Sequence, residues 1–117
     1  MTRILLADDN TKLRSALALL LETRTNATIV GEASTMESLL EQAVKTHPDV
    51  VILDWELPGK PGADRIAVVR SVVPGAQIIV ISARPEAAAQ AGEADAFVNK
   101  IDPPERILAV LKERDPQ

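Results

Sequence analysis

The chain has 117 residues, a formal net charge of -4 and no cysteine, so disulfides, thiol chemistry and thiolate metal sites are excluded. One tryptophan, one phenylalanine and no tyrosine leave an aliphatic core and no aromatic platform for single-stranded nucleic acid. The acidic balance, with no long run of either sign, argues against a basic nucleic-acid face. Its length suits one domain able to bury a core without staples.

Arg3 to Ala7 reads as a buried strand closed by Asp8-Asp9-Asn10, and is too short for a signal-peptide core or a membrane span. Leu13, Ala16, Leu17, Leu20 and Leu21 recur at helical spacing, which predicts a helix over 11–24 with that stripe as its buried face. A strand follows over Thr28 to Ala33. Ser34, three residues before Glu37, gives a capping-box start to a second helix that buries Met36, Leu39, Leu40, Ala43 and Val44. His47-Pro48-Asp49 breaks that helix, with His47 an exposed structural residue in the turn.

Val50-Val51-Ile52-Leu53 is an unbroken apolar run, read as a strand buried on both faces. It stops at Asp54, and Pro58-Gly59-Lys60-Pro61-Gly62 must then form a loop. Ala63, Ile66, Val69 and Val73 mark a third helix, stopped by Pro74-Gly75. Gln77 to Ser82 is a fourth strand, Pro85 to Gln90 a short alanine-rich helix, and Ala96 to Asn99 a fifth strand. Asp102-Pro103 is expected to cap and open a closing helix that buries Ile107, Val110 and Leu111. Asp115-Pro116-Gln117 is polar, a tail or the start of a linker.

Five strand–helix units with apolar rather than alternating strands imply a parallel sheet covered on both faces. The leading topology is a doubly wound α/β sheet in the flavodoxin-like order 2-1-3-4-5. Strands one and three are then neighbours, and Asp8, Asp9 and Asp54 converge at the carboxyl rim. Singly, each polar residue has a plain reading: Asp9 as a cap, Asp54 and Ser82 as strand-end turn formers, Lys100 as an edge charge. Together they form a costly cluster, since two carboxylates about 4 Å apart repel by roughly 4 kcal/mol at an effective dielectric of 20. A hard cation relieves that repulsion, and an all-oxygen donor set favours Mg²⁺ over zinc. Lys100 and Ser82 at the same rim could hold phosphoryl oxygens, with Asp54 as the nucleophile of an aspartyl phosphate.

In this order and spacing, Asp8-Asp9-Asn10, Pro48 to Asp54, Leu57-Pro58-Gly59 with Gly62, Ser82-Ala83 and Asp95 to Lys100 resemble the receiver domain of two-component response regulators. The resemblance spans nearly the whole chain, and Gly31-Glu32-Ala33 is most similar to the subgroup with a helix-turn-helix output domain. It implies that Asp54 accepts a phosphoryl group from a sensor histidine kinase or a small phosphodonor. It further implies that Asp8, Asp9, Asp54 and the Glu56 backbone carbonyl hold Mg²⁺, Asp8 mostly through water, and that Lys100 and Ser82 contact the phosphoryl oxygens. Ser82 and Phe97 would be the switch residues, and Glu56 and Arg84 would tune acyl-phosphate hydrolysis. The resemblance also implies a cytoplasmic signalling switch rather than a turnover enzyme. Its partners would be a kinase and a DNA-binding output domain outside this chain or a docking protein, with homodimerisation compatible and neither nucleic acid nor membrane bound directly.

Two departures touch the signalling face. Lys100 is followed by Ile101 where receivers carry a proline reached through a cis bond, so a trans peptide or an altered loop is expected. Only 17 residues separate Ser82 from Lys100, so helix four should be short. Two other readings stay open: a degenerate receiver signalling by contact alone, and a Mg²⁺-dependent phosphatase working through an aspartyl phosphate.

Overall fold

The computed structural model describes residues 2–60 and 64–114. Pro61, Gly62, Ala63 and the 115–117 tail, assigned above to a loop, a helix face and a linker, lie outside the described residues. The elements alternate as β1 (Thr2–Ala7), α1 (Thr11–Arg24), β2 (Ala27–Ala33), α2 (Met36–Thr46), β3 (Val50–Asp54), α3 (Arg65–Val72), β4 (Gln77–Ser82), α4 (Ala87–Gln90), β5 (Ala96–Asn99) and α5 (Glu105–Arg114). All strand pairs are parallel and the sheet order is β2-β1-β3-β4-β5, the doubly wound flavodoxin-like topology.

β3 is buried at every residue, as a central strand sandwiched between helical layers must be. Its side chains alternate between two cores. Val51 and Leu53 join Leu5, Met36, Leu39, Val69 and Val80 on one face, whereas Val50 and Ile52 join Ile4, Leu6, Leu21, Ile79 and Ile107 on the other. Leu57, just past the strand, is 1% exposed and anchors the following loop in the first core. Ile4 and Leu5 of β1 pair with Ile29 and Gly31 of β2, so one residue of β2 is skipped as a bulge.

Four details differ from expectation. On α1 the fully turned-in residues are Ala18 and Leu21, while Ala16 is exposed. Leu13, Leu17 and Leu20 are half-buried and line a cavity of about 320 Å³ shared with Val98, Pro104 and Ile107. Leu13, Leu17 and Leu20 thus border a groove toward α5, Leu17 also packing against the second core that Leu21 enters. On α2, Val44 points outward at 58% exposure.

The N-cap of α2 is Thr35, not Ser34: its hydroxyl accepts the Ser38 N–H at 3.1 Å. α5 begins at Glu105, and Asp102 does not cap it. The Asp102 N–H donates to the Asn99 carbonyl at 2.9 Å, and Pro104 disfavours helical backbone at Pro103. His47 caps the end of α2 in the left-handed region at φ 48° and is exposed.

The candidate phosphoacceptor site

β1 and β3 end side by side, Ala7 pairing with Leu53, so the residues that follow them share one rim. Asp8 is held by both ends of its backbone. Its N–H donates to the Ala33 carbonyl at 2.9 Å, and its carbonyl accepts from the Arg14 guanidinium at 2.6 Å. Its Oδ1 takes the Asn10 N–H at 2.8 Å, and Asn10 in turn caps α1 through the Leu13 N–H at 3.0 Å. Asn10 is therefore the N-cap, which removes the plain capping role for Asp9.

One carboxylate oxygen from each of Asp8, Asp9 and Asp54 lies within 4.8 Å of the others. Asp8 and Asp54 are buried and Asp9 is exposed at the rim. Lys100, one residue past β5, places its ammonium 3.0 Å from Asp8 and 3.2 Å from Asp54. Its N–H donates to the Ser82 carbonyl at 2.9 Å, which fixes the chain where it leaves the sheet.

Burial pushes the Asp54 carboxyl up to about 6; the Glu56 N–H, donating to its Oδ1 at 3.0 Å, pulls the other way, the Asp8 charge raises it further, and Lys100 lowers it. Burial alone would lower Lys100, but the Asp8 and Asp54 carboxylates outweigh this and hold it above the ordinary lysine range.

This donor set suits a hard divalent cation. Three carboxylates converge, and Asp8 Oδ2 is buried with no partner among the described residues apart from the Lys100 ammonium.

Ser82 is fully buried at the end of β4, and its hydroxyl donates to the Glu56 carboxylate, 3.0 Å from each oxygen. Arg84 completes that arrangement: its N–H donates to Ser82 Oγ at 3.0 Å and its Nε to Glu56 Oε2 at 3.1 Å. Glu56 and Arg84 are thus paired with each other and with Ser82 beside the Asp54 pocket. Phe97 lies on β5 opposite Val80, half-buried against the first core.

Sequence reasoning overlooked Arg65. This cation is only 7% exposed, and one of its nitrogens donates to the Trp55 and Leu57 carbonyls at 3.0 and 2.9 Å. Its guanidinium carbon stands 5.6 Å from the centroid of the Trp55 ring. Arginine in the first turn of a helix reads as a solvated charge, so only the preceding loop's path reveals its role.

A five-stranded parallel sheet whose carboxyl rim carries three carboxylates, a lysine and a buried serine defines a CheY-like receiver. The family model for the response regulator receiver domain matches residues 4–112, and the chain belongs to that family. It is 33% identical over 114 residues to the sensory transduction protein LytT of Bacillus anthracis, covering 96% of this chain and 46% of that protein. The chain therefore spans about half the length of such curated relatives.

A DNA-binding response regulator of the LuxR family from Staphylococcus aureus superposes with a TM-score of 0.87 at 25% identity, over 97% of this chain and 98% of that one. A response regulator from Burkholderia pseudomallei, solved with a phosphorylated aspartic acid, a calcium ion and citrate, superposes with a TM-score of 0.78 at 26% identity, over 99% of this chain and 74% of that one. Receiver domains are signalling modules of two-component systems rather than conventional turnover enzymes. No described helix is long and apolar enough to cross a membrane.

Proposed function

We propose that this receiver is a phosphorylation-dependent switch in which Asp54 is the phosphoacceptor. The observation that carries the reading is the buried Asp54 carboxylate with the Lys100 ammonium at 3.2 Å and two further carboxylates within 4.8 Å. Asp54 attacks the phosphorus of a phosphohistidine on a sensor kinase, or of a small acyl phosphate. The oxygen–phosphorus bond forms as the bond to the donor breaks. Asp8, Asp9, Asp54 and the Glu56 carbonyl would hold Mg²⁺, which when bound neutralises charge on the transferring group. Lys100 already lies within ion-pair reach of Asp54 and receives one phosphoryl oxygen.

Ser82 cannot serve a phosphoryl group while its hydroxyl is given to Glu56. The switch is therefore an exchange, with Ser82 leaving Glu56 and Arg84 for the phosphoryl oxygen and Phe97 repacking against the space vacated around β4. That exchange is a population shift driven by contacts only the phosphorylated state offers. In Glu56 and Arg84 the same network supplies two groups able to tune the lifetime of the acyl phosphate. The Burkholderia pseudomallei protein, with its phosphorylated aspartate and calcium ion, supports an aspartyl phosphate beside a divalent cation. The LuxR-family likeness supports a DNA-binding output domain as the reader, and the switch we propose works in the cytoplasm.

Trp55, the only tryptophan, adjoins Asp54 and reports on the site. Mg²⁺ followed by beryllofluoride should change its emission in the wild type and not in D54N. An unchanged wild-type spectrum would leave contact-only signalling as the better account.

A further inference from the structure

The loop from Asp54 to Pro58 has an unequal distribution of hydrogen bonds to its carbonyls. Asp54 O accepts the Leu57 N–H at 3.0 Å, and Pro58 O accepts the Met36 N–H at 2.9 Å. Trp55 O and Leu57 O are both taken by the Arg65 guanidinium. Among the described residues, the carbonyl of Glu56, between them, receives none. A buried cation thus grips the two carbonyls flanking the one that the proposed metal site requires, and also covers the Trp55 ring. Backbone oxygens make good ligands for a hard cation only when their orientation is fixed in advance, because Mg²⁺ tolerates little departure from octahedral geometry.

We infer that Arg65 is a positioning residue for the cation site, clamping Trp55 O and Leu57 O so that the Glu56 carbonyl is set for Mg²⁺. The inference rests on the phosphoacceptor reading above and adds to it a residue outside the carboxylate cluster. A single nitrogen bridges both carbonyls, so the function is a two-point grip on the backbone. A lysine ammonium with three donors reproduces this in part, whereas methionine does not.

Isothermal titration calorimetry with MgCl₂ on wild type, R65M and R65K, alongside melting curves in EDTA, tests this. R65M should bind Mg²⁺ about tenfold more weakly, the loss expected for an outer-shell partner, and R65K should recover to within about threefold of wild type. A merely structural arginine would lower the melting temperature of R65M and leave its Mg²⁺ affinity unchanged. If R65M does not melt cooperatively, R65Q takes its place with the same expected weakening. Any folded Arg65 variant without the grip that binds Mg²⁺ within twofold of wild type overturns the inference, while wild-type phosphorylation on Asp54 would stand. A wild type that binds no Mg²⁺ overturns both.

Discussion

Asp54 carries a conflict between solvation and charge that the rest of the pocket is built to manage. Burial favours its neutral form, and the carboxyl sits near 6 rather than in the ordinary carboxylate range. The ionised state therefore costs stability in the metal-free protein. This cost is absent below the pKa of the unfolded chain, grows as pH rises, and is complete above about 6. D54N should accordingly be more stable than wild type in EDTA at pH 7.5, by about 3 kcal/mol at 1.36 kcal/mol per unit. That advantage should vanish near pH 3, below the pKa of the unfolded chain, as urea unfolding at the two pH values can check. Lys100 faces the same carboxylates as the cation would, and like charges compete. K100M should bind Mg²⁺ several-fold more tightly by calorimetry yet lose the beryllofluoride response; weaker Mg²⁺ binding would contradict this placement of the ammonium.

The connecting elements carry much of what adjusts the site. The loop after β3 is fastened at Leu57 in the core, at Pro58 to the start of α2, and at Gly59 by backbone geometry. Gly59 has φ +110°, where an L side chain is strained, and an added Cβ would meet Glu37 Oε1 and come within 3.2 Å of the Met36 nitrogen. G59A should cost about 1–3 kcal/mol by denaturant unfolding. It should also weaken Mg²⁺ binding, because the loop that bears Glu56 must shift.

α4 has only four residues, too few to hold itself together. Side chains secure its neighbourhood instead. Trp55 Nε1 donates to Gln90 Oε1 at 2.9 Å, and Arg70 reaches the Glu93 carbonyl and the Asp95 carboxylate at 2.8 and 3.1 Å. After β5, the exposed Ile101 sits in a turn whose N–H donates to Asn99 Oδ1 at 3.0 Å. At this scale the sequence was readable in outline. The β-branched run Ile78-Ile79-Val80-Ile81 delimits β4, and the 17-residue interval foretells the short α4, because both follow from local chemistry. Apolar spacing identifies a stripe on α1 but not which edge of it meets the sheet, so Ala18 was missed and Ala16 assigned inward. The choice of Thr35 over Ser34 as cap is one residue of register, which two adjacent hydroxyl residues leave undetermined in the sequence.

For the molecule as a whole, two cores back to back on one sheet make the carboxyl rim a rigid platform, since β3 is packed on both faces up to Asp54. The carboxylate cluster was legible because parallel topology places the ends of β1 and β3 together, whatever the loops do. Arg65 was not, since the hydrogen bonds described for it go to backbone carbonyls, which carry no sequence signal. Nor was the pairing of Ser82 with Glu56, which depends on a side-chain rotamer across two loops. That pairing commits the Ser82 hydroxyl to Glu56 and away from Asp54.

The most direct test of the central claim is intact-protein mass spectrometry after incubation with acetyl phosphate, with and without Mg²⁺, on wild type and D54N. The account predicts one added phosphoryl group on the wild type only when Mg²⁺ is present, and none on D54N under either condition. A wild type that stays unmodified with Mg²⁺, or a D54N protein that gains the same mass, would contradict it.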